Sequence, residues 1–113
     1  MKNTEVVNTT SKYIVKTTGI GSETNEILVD AEELTEGTDG SKVSLIECYY
    51  LIEGTGTLKI SADVEHPNSL SLTGKGKYGL RPNQLKYGND KLFKLTTDTN
   101  VKSYLLVTEF RRN

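Results

Sequence analysis

Between residues 43 and 112 the chain is a succession of short stretches in which apolar and polar side chains alternate, each closed by glycine, asparagine or proline. A period of two puts one apolar face on an extended strand and gives a helix no apolar stripe, so the pattern admits little but an antiparallel β architecture. The longest stretch, 42–53, is rich in β-branched and aromatic residues (Val43, Ile46, Tyr49, Tyr50, Ile52), which favour extended backbone. It is apolar on both faces from Ile46 to Ile52 except at Glu47. It therefore reads as a central strand, with Ile46, Cys48, Tyr50 and Ile52 on one face, Leu45, Tyr49 and Leu51 on the other, and both faces covered.

Further strands are expected over 12–18 (Tyr13, Val15 and Thr17 on one face), 26–30, 57–63 (Leu58, Ile60, Ala62), 69–73 (Leu70, Leu72), 91–97 (Phe93, Leu95) and 101–112 (Tyr104, Leu106, Phe110). Gly54-Thr55-Gly56 reads as the turn of a hairpin joining 42–53 to 57–63. Residues 74–89 read as a long basic connection. Asp30, with Glu33 three residues on and Gly37 as a stop, is spaced either for one capped helical turn or for a structured acidic loop. At 113 residues the chain is too short to divide into two adequate cores. The expectation is one all-β domain, a β-sandwich or jelly-roll-like barrel of about seven to eight short antiparallel strands over 12–113. Residues 1–11, polar and without an apolar face, are expected to be a separate N-terminal arm.

The net charge of −1 excludes a dedicated nucleic-acid binder, which needs a basic excess against phosphate. Charge is nonetheless segregated. Residues 1–41 hold eight acids against three lysines, a net −5, whereas Lys75, Lys77, Arg81, Lys86, Lys91 and Lys94 fall close together with only Asp90 among them. Either the fold brings the two stretches together to cancel, or the cations face an acidic partner or a neighbouring copy. Lys75, Lys77, Arg81, Lys86 and Lys91 are accordingly the candidate partner-binding residues.

Catalytic chemistry is not offered. The single His66 precedes Pro67 without a second ligand or triad partner, and the single Cys48 lies within an apolar strand, where a thiol acts as a small hydrophobe. No serine sits in a nucleophile-elbow setting. Gly74, Gly76 and Gly79 have dinucleotide-fingerprint spacing, but Arg81-Pro82-Asn83 follows in place of a helix, so the reading is a glycine-rich β-turn. The acids between Glu23 and Asp39 do not match a calcium loop. No cofactor or metal is expected, and the protein is not expected to be an enzyme. The first residues carry no apolar signal run and no stretch of 18 apolar residues occurs, so neither membrane insertion nor export is expected. Tyr49, Tyr50, Tyr78, Tyr87 and Tyr104 would suit either packing or a sugar-binding platform.

Leu70-Ser71-Leu72-Thr73-Gly74-Lys75-Gly76-Lys77-Tyr78-Gly79, then Lys91-Leu92-Phe93-Lys94-Leu95-Thr96-Thr97 and the closing Ser103-Tyr104-Leu105-Leu106-Val107-Thr108-Glu109-Phe110-Arg111-Arg112, with Leu28-Val29-Asp30 upstream, resemble small virion proteins encoded near the capsid genes of marine tailed bacteriophages. Their shared plan is strand, Gly-x-Gly turn, loop, strand, and a closing strand ending in basic residues. The resemblance spans residues 26–112. It implies a capsid decoration or cement protein that binds the major capsid protein on the capsid exterior, present in the host cytoplasm during assembly, with self-association into a homo-oligomer left open. The alternative is a carbohydrate- or receptor-binding module on a virion appendage.

Overall fold

The alternation becomes two antiparallel sheets that enclose the apolar residues between them. The structure, a computed structural model, describes residues 1–62, 69–79 and 87–112, with the backbone alone at 69 and 87–89. Among these residues it contains ten strands: β1 (Lys2–Asn8), β2 (Lys12–Ile20), β3 (Glu26–Asp30), β4 (Val43–Gly54), β5 (Leu58–Ala62), β6 (Ser69–Leu72), β7 (Lys75–Gly79), β8 (Tyr87–Asp90), β9 (Leu92–Thr97) and β10 (Val101–Arg112). The larger sheet runs β1-β2-β10-β4-β7, with β8 also paired to β4, and the smaller runs β3-β9-β5-β6. The expected all-β, jelly-roll-like sandwich is the fold observed, with more strands than the seven or eight expected.

Period-two patterning fixes the inner faces. Tyr13, Val15 and Thr17 of β2, Tyr104, Leu106 and Phe110 of β10, Leu58 and Ile60 of β5, and Phe93 and Leu95 of β9 are all buried. Phe110 of the larger sheet meets Phe93 of the smaller edge to face, ring centroids 5.1 Å apart, and this contact pins the two layers together. Asp30 accepts the Glu32 N–H at 3.2 Å and opens a single 3-10 turn, Ala31–Glu33, the turn its spacing allowed.

Four expectations are corrected. Residues 1–11 are not a free-standing arm, because Lys2–Asn8 is β1, paired antiparallel with β2. Backbone pairing to an open sheet edge needs no apolar face, so polarity alone did not exclude a strand. The hairpin at 54–56 does not form: β4 pairs with β10, β7 and β8, while β5 pairs with β6 and β9. Here the chain crosses between sheets, anchored by Asp98, which accepts the Thr57 N–H at 2.9 Å and the Asn100 N–H at 2.9 Å. Gly56 is obligatory in this crossing, since a Cβ there would run into Asp98 Oδ1 and lie 2.6 Å from the Val101 nitrogen. The supposed long basic connection contains two strands, β7 and β8, both on β4.

The fourth correction concerns β4 itself. Glu109 pairs with Glu47 and Phe110 with Leu45, so Ile46 is the extra residue of a β-bulge. A bulge resets the alternation. Leu45 therefore joins Cys48 and Ile52 inside, fully buried, while Ile46 is only half-buried. Tyr49 and Leu51, expected to be covered, are 51% and 43% exposed, because no element among the described residues lies over that side of the sheet.

Candidate interaction surface

The candidate cations among the described residues do not converge. Lys75 and Lys77 lie on β7 opposite Leu51 and Tyr49. Lys91 follows Asp90, whose partner is Val43. Tyr49 and Val43 are six residues apart on β4, which at about 3.3 Å per residue separates the two groups by roughly 20 Å. Arg81 and Lys86 lie outside the described residues. Moreover, Lys77 Nζ is 2.8 Å from Glu47 Oε1 and stands 5.1 Å from the Tyr49 ring centroid, and Lys91 Nζ is 3.1 Å from Glu32 Oε1. The Lys91–Glu32 pair joins the basic and acidic stretches inside one molecule.

These pairs leave electrostatic signatures. The Gly40 N–H, which donates to Glu32 at 2.8 Å, and then Lys91 hold the Glu32 carboxyl below its ordinary range. The Lys77 ammonium does the same to Glu47, and Glu47 in turn raises Lys77. Arg112, at the end of the basic closing strand, is also used internally: its guanidinium donates to Asn8 Oδ1 at 2.7 Å, the Thr9 carbonyl at 2.8 Å and the Thr35 carbonyl at 2.7 Å.

The buried thiol is also committed to the fold. Burial pushes the Cys48 thiol up to about 11, so it is no nucleophile at neutral pH. Among the described residues, no group of three or more His, Cys, Asp or Glu could hold a metal ion. No helix among them is long and apolar enough to cross a membrane. A groove of about 380 Å³ between the β1–β2 edge and β3 is lined by Asn3, Glu5, Tyr13 and Asp30 among others. Two of its polar groups serve the fold: Thr17 Oγ1 donates to Asn3 Oδ1 at 2.6 Å, Asn3 Nδ2 donates to the Ile27 carbonyl at 3.3 Å, and Asp30 caps the 3-10 turn.

Among the described residues the tyrosines do not form a row. Tyr49 is exposed, Tyr50 and Tyr78 are half-buried against the core, and Tyr104 is buried; the Tyr87 side chain lies outside the description. The Tyr104 ring fills the space beside Gly19, where a Cβ would overlap its hydroxyl. Burial, reinforced by the charge of Glu23, drives its ionisation far above the ordinary tyrosine range.

What the fold does present is the outer side of the larger sheet. Across β1, β2, β10, β4 and β7 one row reads Lys2, Thr18, Leu105, Leu51, Lys75, and the next reads Thr4, Lys16, Val107, Tyr49, Lys77. Glu53 stands beyond one end of these rows and Glu109 with Glu47 beyond the other. Leu105, Leu51, Val107 and Tyr49 thus form an apolar square with lysines on its two flanks and carboxylates at its two ends. Leu105 and Val107 were not expected to matter. The unbroken run Tyr104-Leu105-Leu106-Val107 was the available signal, since consecutive apolar residues in a strand make both faces apolar.

No protein-family model matches the chain, and no curated protein matches it either. Among solved structures, it is similar to the crystal structure of a cupin domain from Bordetella pertussis Tohama I, with 9% sequence identity and a TM-score of 0.48 over 99% of this chain and 92% of that one.

Proposed function

We propose that this chain is a non-enzymatic structural protein of a phage virion, a decoration protein that binds the major capsid protein lattice on the capsid exterior. The observation that supports the reading is a surface suited to contact among the described residues. An apolar, charge-framed sheet face is exposed, whereas the buried thiol and the paired acids are committed to the fold. The strand and turn pattern over residues 70–79, 91–97 and 103–112 supports the virion assignment through its resemblance to capsid-associated phage proteins. Many copies on a lattice gain avidity, so each contact can be weak.

Attachment uses the open edge of β1. Edge strands offer unpaired backbone groups, and among the described residues β1 is paired on one side only, to β2. A capsomer strand added there would extend the larger sheet. The test is cosedimentation with shells assembled from the major capsid protein of the same phage genome. The full chain is expected to pellet with the shells, and a chain lacking residues 1–11 that still melts cooperatively is expected to stay in the supernatant. A full chain that never pellets refutes the function; a truncated chain that pellets as well as the parent refutes the attachment mode alone.

A further inference from the structure

We infer that the outer side of the larger sheet is a self-complementary interface that pairs with the same face of a second copy, the two sheets crossed at about 90°. The inference follows from the arrangement of charge on this face and stands whether or not the chain belongs to a virion. Walking across the strands from the apolar square leads to lysine on both sides, at Lys16 and Lys75; walking along them leads to carboxylate at both ends, at Glu53 and Glu109.

Two such faces stacked with strands aligned would set lysine against lysine and carboxylate against carboxylate. A quarter turn places each copy's lysine flanks over the other's carboxylate ends and brings Leu51 and Val107 of both into one apolar centre. A twofold axis lying in the interface generates this arrangement, so both copies make identical contacts. Three strand spacings of about 4.8 Å, roughly 14 Å, separate the lysine flanks, and six residues at about 3.3 Å, roughly 20 Å, separate the carboxylate ends, a difference of about 3 Å on each side that the long lysine side chains span.

A uniformly acidic partner would satisfy the lysines but oppose Glu53 and Glu109. A partner with the same alternation of sign satisfies both, and this face turned through a quarter is such a partner. Its footprint buries on the order of 1,000 Å² in total, at the lower limit of specific interfaces. Association is therefore weak, dependent on concentration and reduced by salt.

Sedimentation equilibrium of the full chain tests this. In low salt the weight-average mass should rise with concentration from the 12.5 kDa of one chain toward twice that value and no further. An acidic variant (Lys16→Glu with Lys75→Glu) and a basic variant (Glu53→Lys with Glu109→Lys) should each associate at least tenfold more weakly than the parent. Mixed together they should regain a heterodimer, which also shows that both are folded. Leu51→Ser with Val107→Ser, which removes the apolar centre without altering charge, should abolish the dimer at every salt concentration. A parent that stays monomeric throughout overturns the inference, as do charge variants that dimerise like the parent or a mixture that does not recombine. Association through another surface, or use of this face by a different partner, would appear as one of these results.

Discussion

The two sides of the larger sheet are built from the same kinds of residue but have different consequences. On the inner side, Leu106, Phe110, Val15 and Leu45 have no exposure. On the outer side, Leu105 and Val107 from the same strand are half-buried, and Tyr49 and Leu51 are exposed to water. Hydrophobic stabilisation follows area removed from water rather than residue type. The inner side therefore holds the fold together, while the outer side is available for association at little cost to stability.

The sharpest way to break this comparison is to remove one large side chain from each side. Phe110→Ala empties a site packed against Phe93 and Tyr13 and is expected to cost about 3–5 kcal/mol, enough to leave a domain of this size barely folded. Val107→Ser, three residues away on the other side, should change monomer stability by no more than about 0.5–1 kcal/mol. Urea titrations of both variants at dilute concentration measure the two effects. Equal losses would mean that the outer side is also core.

The bulge in β4 gives a finer test, because it decides which side a neighbouring pair of residues belongs to. Leu45→Ala should cost about 2–5 kcal/mol, and Ile46→Ala, at the half-buried bulge residue, about 1 kcal/mol. Strict alternation through the strand predicts the reverse order. The same measurement therefore decides whether the inner side continues to Val43 through Leu45 or through Ile46.

The bulge also marks the limit of what the sequence discloses. Local pattern placed the inner residues of β2, β5, β9 and β10 each on one face, because no extra residue falls between them and a period of two depends only on strand geometry. It also allowed the capped turn at Asp30, one of two readings of that segment, whose bond to the Glu32 N–H is a contact two residues away. Three features depend on distant partners and left no local trace. The Ile46 bulge exists through the register of β4 against β10. The Gly54–Gly56 segment becomes a crossing through Asp98, over forty residues away. β1 is a strand through the β2 edge that receives it. Among the described candidate cations, proximity in sequence from Lys75 to Lys91 became separation in space for the same reason, with Lys77 and Lys91 engaged by Glu47 and Glu32.

Asp98 links the sheets independently of core packing, so its removal tests whether the inner side alone holds them in register. Its two hydrogen bonds to backbone N–H groups are charge-assisted and solvent-exposed. Asp98→Ala is expected to cost about 1.5–3 kcal/mol, with Asp98→Asn recovering part of the loss. Hydrogen exchange should show faster opening of β5 and the turn before β10. Unchanged exchange there would place the linkage in the buried core between the sheets and the backbone bond from the Asp98 N–H to the Thr57 carbonyl.

The smallest expected effect is electrostatic and separates Glu47, on the outer side, from Glu32, beside the 3-10 turn. Both titrate below the ordinary carboxylate value of 4.5. Each therefore adds stability that is fully present above that value and is lost as pH falls through the lower folded-state value. Stability should be flat from neutrality to about pH 5 and decline below about 4.5, with a smaller decline in Glu32→Gln and in Glu47→Gln. Salt distinguishes the two. The leading partner of Glu47 is the Lys77 ammonium, which faces solvent and is readily screened. The leading partner of Glu32 is the Gly40 N–H, a directed hydrogen bond to a neutral group with no long-range charge to screen. Raising the salt concentration should therefore diminish the acid-linked contribution removed by Glu47→Gln while leaving most of that removed by Glu32→Gln. Equal salt sensitivity in urea midpoints measured from pH 7 down to pH 3 would show that Lys91, rather than the Gly40 hydrogen bond, dominates at Glu32.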